Sequence, residues 1–125
     1  MIIELIQFYR LNMISNKYVL IIRQSEPLKI DDKDSRLWRA SLIQKYCNDL
    51  GVSSVYLTST FNHYNKKQRF DKTTKLDGKG SDAFVFLKTP GYKRNISLSR
   101  FVDHLIFGVK TGLYLIRERK NVKTI

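Results

Sequence analysis

Six cations fall within fourteen residues in the middle of this chain: Lys66, Lys67, Arg69, Lys72, Lys75 and Lys79, set against Asp71 and Asp77. Phe61, Tyr64 and Phe70 are interleaved with them. Ammonium and guanidinium groups neutralise phosphates, and flat rings stack on exposed bases or pack on a neighbouring protein, so this pattern is suited to nucleic-acid contact. A second group, Lys88, Lys93, Arg94 and Arg100, meets no acid until Asp103 and leads into an expected helix start, where backbone N–H groups also favour anions. A third, Arg117, Arg119, Lys120 and Lys123, makes a basic tail over residues 118–125 and its approach.

Catalytic patterns are weak by comparison. Tyr64 with Lys67 three positions on would suit a rolling-circle nuclease, but that chemistry needs two histidines flanking one residue. The histidines here are His63 and His104. No Ser-His-Asp or Cys-His spacing is readable, and no Gly-rich phosphate loop. Asp31, Asp32 and Asp34 fit compensation of a helix dipole better than a metal site. Cys47 reads as a core residue, and the strand around Phe84 and Phe86 reads as core rather than as an aromatic RNA-binding strand. The expectation is a protein with no catalytic residues, no metal, no cofactor and no small-molecule substrate.

Composition agrees. The chain has 125 residues with 23 Lys+Arg against 11 Asp+Glu, a net charge of +12, and 42% hydrophobic residues. It should fold as a single domain, and so basic a domain repels itself unless a polyanion neutralises it. Residues 1–50 carry 8 bases against 6 acids, whereas residues 51–125 carry 15 against 5, so the partner surface belongs to the second half. One cysteine excludes a disulfide framework, and no apolar run is long enough to span a membrane. The first residues do not read as a signal or transit peptide, which makes an organelle-encoded product the expectation if the protein works in an organelle.

The elements that must position these groups follow from periodicity. Residues 1–9 read as a strand within an N-terminal extension, 1–16. Tyr18–Ile22 reads as a buried strand. Asp31 to Ser35 read as a cap for a helix from Arg36 to Leu50, whose apolar face is Trp38, Leu42, Ile43, Tyr46, Cys47 and Leu50, and which Gly51 stops. Val52–Thr58 is the next strand, residues 60–81 a long basic loop or hairpin, and Ala83–Leu87 a strand ending near the Pro90-Gly91 turn. A second helix runs from Ser97 or Ser99 to about Phe107, with Phe101, Val102, Leu105 and Ile106 inward and Gly108 or Gly112 ending it. Leu113–Arg117 reads as the last strand. This order predicts an α+β fold, a ferredoxin-like split βαβ sandwich. Two helices would cover one face of a four-stranded sheet, with the long basic loop between its second and third strands.

Four patches resemble the universal small-subunit ribosomal protein ten family. They are Leu57-Thr58-Ser59-Thr60, then Arg69-Phe70, then Leu76-Asp77-Gly78-Lys79-Gly80-Ser81-Asp82-Ala83-Phe84, and Val102-Asp103-His104-Leu105 followed by Gly112 and Ile116. Lys72-Thr73-Thr74-Lys75 stands where that family carries Arg-Ser-Pro-His. The resemblance implies a ribosomal-RNA-binding protein in the head of the small subunit, beside other small-subunit proteins, in translation. Drift of this kind fits a mitochondrial ribosome in the matrix, with the cytoplasm as the other location. Large-subunit ribosomal protein twenty-three is similar at Asn16-Lys17-Tyr18-Val19, Gly51-Val52 and Leu87-Lys88. A viral or plasmid single-stranded nucleic-acid-binding protein is a further reading of the charge.

Overall fold

A computed structural model describes residues 17–77 and 82–122. β-Branched and aromatic runs make the strands β1 (Val19–Ile22), β2 (Ser54–Ser59), β5 (Thr74–Asp77) and β6 (Asp82–Leu87). A two-residue pair, β3 (Phe61–Asn62) and β4 (Lys67–Gln68), forms a separate small hairpin. The helices are α1 (Arg39–Asp49) and α2 (Leu98–Glu118). The main sheet has the order β1-β2-β6-β5. Its first three strands are parallel, with Tyr56 opposite both Ile21 and Phe84, and β5 is antiparallel to β6.

The α+β class, a four-stranded sheet and two helices are as the sequence implies; the mixed strand directions are a finding of the structure. The arrangement within that class differs. Side chains alternate across a strand, and on β2 and β6 both faces are apolar. Ile21, Tyr56 and Phe86 pack with Leu28 and with Ala40 of α1 on one face. Leu57, Val85 and Leu87 pack with Phe107 of α2 on the other, with Tyr114 against them. The helices therefore lie on opposite faces, not on one, and neither face of the central strands is left bare. β1 and β2, the two strands joined through α1, pair directly, so the unit is not split by an intervening strand. The segment 60–81 is not one long loop within its described part: it supplies β3, β4 and the edge strand β5.

The expected strand Leu113–Arg117 is helical. α2 runs through Gly108 and Gly112 because its inward row, Asp103, Phe107, Thr111 and Tyr114, recurs at helical spacing and continues past both glycines. Its start is as expected: Ser97 Oγ accepts from the Arg100 amide at 3.2 Å. The inward faces of both helices differ from the apolar stripes of the sequence. On α1 the buried residues are Ala40 and Gln44, while Leu42, Ile43, Tyr46 and Leu50 are exposed and Cys47 is half-buried. On α2 Phe101, Val102 and Leu105 are exposed.

Polar partners explain the choice on α1. The Ala40 amide donates to buried Glu26 at 3.1 Å, and Gln44 Nε2 donates to the Ala83 carbonyl at 3.1 Å. Glu26 thus serves the start of α1 from outside the helix. Asp31, Asp32 and Asp34 do not cap it; they lie in the preceding turn, where Asp31 Oδ2 accepts from the Leu28 amide at 2.9 Å. Gly51 does stop α1, with φ of +70°, a conformation glycine adopts freely.

The chain ends of the described part meet. Tyr18 donates its amide to the Asn121 carbonyl at 2.8 Å and bridges Val122, and its hydroxyl lies 3.0 Å from the Tyr114 hydroxyl and 3.1 Å from Glu118 Oε2. The hydrogen bond from Asn121, then that from Tyr18, holds the Glu118 carboxyl below the usual carboxylate range against the opposing effect of its burial. The basic tail is therefore anchored as far as Val122. The strand expected over residues 1–9, Lys79 and Lys123 lie outside the described residues.

The two faces of α2 make a direct test. Phe107→Ala should lower stability by about 3 kcal/mol, whereas Leu105→Ala should change it by less than about 0.5 kcal/mol. Urea unfolding of the two variants checks this; equal losses would mean that Leu105 faces the core.

Candidate nucleic-acid interface

The carboxyl ends of the parallel strands carry polar residues that the core cannot leave unpaired. Thr58, Ser59 and Thr60 at the end of β2 are fully or almost fully buried. Ser59 Oγ lies 2.6 Å from Thr89 Oγ1 and accepts from the Phe61 amide at 3.0 Å. Thr60 Oγ1 donates to Gln68 Oε1 at 2.7 Å, and Gln68 Nε2 donates to the Thr89 carbonyl at 2.8 Å. These bonds fold the β3–β4 hairpin back onto the strand ends. The Arg69 guanidinium secures it: Nε and Nη2 donate to the two oxygens of Asp31 at 2.6 and 2.7 Å, and Nη1 donates to the Ser59 carbonyl at 2.9 Å. The Arg69 side chain is only 6% exposed.

Beyond that hairpin a second polar chain runs to the start of α2. Arg100 Nε donates to His104 Nε2 at 3.1 Å, so the imidazole proton lies on Nδ1, which donates to Gln24 Oε1 at 2.7 Å. Gln24 Nε2 then donates to Asp103 Oδ2 at 3.0 Å, and Asp103 Oδ1 accepts from the Gly91 amide at 2.8 Å. This satisfies the buried Asp103 carboxylate with neutral and backbone donors. Gly91, with φ of +77°, sits so close to the Phe61 ring that a Cβ there would lie 2.6 Å from it. The histidines, 41 positions apart in sequence, both pack near Tyr92, with ring centroids 5.8 and 6.0 Å from it. The Tyr92 hydroxyl bonds His63 Nδ1. Both nitrogens of His104 are engaged, and among the described residues no group of three His, Cys, Asp or Glu could hold a metal ion.

These networks sort the expected contact residues. Three cations serve the fold. Arg69 is buried against Asp31. Lys66, at φ +56°, donates to the His63 carbonyl at 2.5 Å and to Asn95 Oδ1 at 2.6 Å, with its Nζ 5.1 Å from the Tyr92 ring centre. Arg100 also donates to the Asn95 carbonyl at 2.7 Å, and its guanidinium lies 5.7 Å from the Tyr92 ring centre. Phe61 is buried against Tyr92 at 4.8 Å, and Phe70 packs on Phe86 at 4.9 Å. Arg69 and Phe61, each only 6% exposed, are committed to the fold: the buried polar strand ends need the one and the Gly91 turn needs the other.

The remaining expected contacts stay outside. Lys67, Lys72, Lys75, Lys93 and Arg94 are exposed, and Lys88 is half-buried. Tyr64 is exposed, 6.4 Å from the Trp38 ring and edge-on to His63. Lys93 and Arg94, with Lys66, Tyr92, Ser97 and Ser99, line an open cleft of about 510 Å³ at the start of α2. A second cluster lies on the sheet edge. The Lys88 amide donates to Thr73 Oγ1 at 2.9 Å, which brings Lys72 beside it, and Lys110 Nζ donates to the Lys88 carbonyl at 2.5 Å. Lys110 had no signal in the basic runs of the sequence, because α2 brings it there from the far end of the chain.

Comparison with protein-family models, with curated proteins and with solved structures finds no match to this chain.

Two outcomes follow from the geometry. Asp31→Ala leaves the Arg69 guanidinium buried and unpaired and should cost about 3 kcal/mol of stability in urea unfolding. His63 is held below its ordinary pKa by burial first, and then by the positive charges of Lys66 and Arg100. The unfolded chain therefore binds the proton more readily, so stability should fall as pH drops from 7 through the ordinary histidine range, and His63→Gln should flatten that fall. A slope between pH 7 and 5.5 unaffected by the substitution would contradict the assignment.

Proposed function

We propose that this chain is a non-catalytic RNA-binding constituent of the ribosome, on the small subunit and in contact with ribosomal RNA. The observation that supports this best is the sorting of the cations. Lys67, Lys72, Lys75, Lys93 and Arg94 stay at the surface while the hairpin and the start of α2 are fixed by internal bonds. Exposed ammonium and guanidinium groups on a pre-ordered frame can neutralise phosphates without a large ordering cost. Tyr64 is the exposed ring beside them and is the base-stacking or packing contact of this reading. Lys88, half-buried at the sheet edge, contributes there, whereas Arg100 is held by His104, Asn95 and Tyr92 and shapes the start of α2.

The family-level reading rests on the patches of resemblance to small-subunit protein ten, and the mitochondrial matrix is its proposed place. Of those patches, Val102–Leu105 lies on α2 as a helix, whereas Gly112 and Ile116 continue that helix and Arg69 is buried. The proposal is therefore carried by the surface charge first and by the resemblance second.

Replacing Lys67, Lys72, Lys75, Lys93 and Arg94 singly by Gln should lower the slope of log K against log salt for structured RNA by about 0.7–0.9 for each phosphate no longer neutralised. Lys66→Gln should leave that slope nearly unchanged and reduce stability instead. Sedimentation of the tagged chain with small subunits is expected; recovery with large subunits, or free of ribosomal particles, would refute the assignment.

A further inference from the structure

Among the described residues, the outer side of α2 carries a long run of exposed apolar side chains. Leu98, Phe101, Leu105, Val109, Leu113 and Ile116 recur at three- and four-residue spacing and are each 56–78% exposed. Together they form a continuous apolar stripe along nearly the whole 21-residue helix. Scattered apolar residues are ordinary on a surface; a stripe of this length marks an interaction site. Gly108 and Gly112 lie in the row of Phe101, Leu105 and Ile116, and a Cβ at either would meet nothing within 4 Å. The stripe therefore has a dent where another backbone can approach.

Charge says what fits it. The two carboxylates of α2 are both turned away: Asp103 is buried on Gln24 and Gly91, and Glu118 is held by Tyr18 and Asn121. The exposed charge on α2 itself is Arg117, and Arg119 and Lys120, which follow the helix, are also exposed and positive. A second copy of a chain with net charge +12 would bring like charges together along this line. A single strand of RNA could stack on Phe101 but would leave the five aliphatic members of the stripe unpaired with anything apolar.

We propose that the outer face of α2 docks a protein partner that presents an apolar helix flanked by carboxylates. None of the stripe residues is among the cations proposed to bind RNA, and the docking site does not depend on the ribosomal reading.

The probe is a synthetic 22-residue helical peptide with a Leu/Ala face flanked by Glu, its sequence-scrambled isomer, and a Lys-flanked version, each titrated against the full chain by fluorescence anisotropy. The Glu-flanked helix should bind about tenfold or more tightly than either control, since apolar contact and opposite charge act together. Leu105→Asp should abolish that advantage, and Lys67→Gln and Lys93→Gln should leave it in place. Gly112→Leu fills the dent without burying a charge and should weaken binding with the fold intact, so the test survives if Leu105→Asp fails to fold. Equal binding of the scrambled isomer would reduce the effect to net charge and overturn the proposal. So would self-association abolished by Gly112→Leu, which assigns the face to a second copy. Resistance of Phe101 and Leu113 to hydroxyl-radical labelling in the monomeric full chain would assign it to residues 1–16, and would overturn it equally.

Discussion

A buried guanidinium holds this fold together at the carboxyl ends of its parallel strands. Arg69 reaches from the end of the β3–β4 hairpin to Asp31 in the turn before α1 and to the Ser59 carbonyl at the end of β2. The hairpin, the end of the strand just before it and the distant turn before α1 are joined by one side chain with few exposed atoms. A charge in that position is tolerable only if it is paired and fully hydrogen-bonded, and the bidentate carboxylate supplies that condition. Its presence fixes the hairpin, the hairpin fixes Gln68 on Thr89, and Thr89 orders the strand end that leads to Tyr92 and the start of α2.

That constraint separates two kinds of basic residue that look alike in sequence. Lys66, Arg69 and Arg100 have carbonyls, carboxylates, amides or aromatic faces within the molecule, and they set the shape of the surface. Lys67, Lys72, Lys75, Lys93 and Arg94 project from that shape. The net charge of +12 therefore does not say which cations a polyanion can reach. The clefts and edges matter more than the total, because a phosphate meets only those groups whose hydration is still exchangeable.

Strands were the more legible part of the sequence. Val19–Ile22, Ser54–Ser59 and Asp82–Leu87 are short β-branched or aromatic runs with turn residues beside them, and Gly51 and the Pro90-Gly91 turn stop their elements as the residue types require. Helix faces were not legible, for a physical reason. The reading that puts Leu105 and Ile43 inward takes every apolar stripe to face the chain's own core. Here the inward positions of both helices include polar groups with specific partners, Gln44 on the Ala83 carbonyl and Asp103 on Gly91, while the stripes point away. Periodicity identifies a face; it does not say which molecule covers it. The same limit hid Lys110 and the pairing of His63 with His104 around Tyr92, since nothing local connects them.

The meeting of Tyr18 with Asn121 and Val122 bears on how the chain reaches this state. Most of the main sheet is built from contacts between distant parts of the sequence: β1 with β2 across α1, β2 with β6 across the hairpin, and the start of β1 with the segment after α2. Such a topology is slow to form, because loop entropy is lost before the contacts repay it. During synthesis from the N-terminus, Tyr18 emerges first among these groups and its partners emerge last. That contact therefore closes only after α2 has been synthesised, so it comes late in the order of assembly.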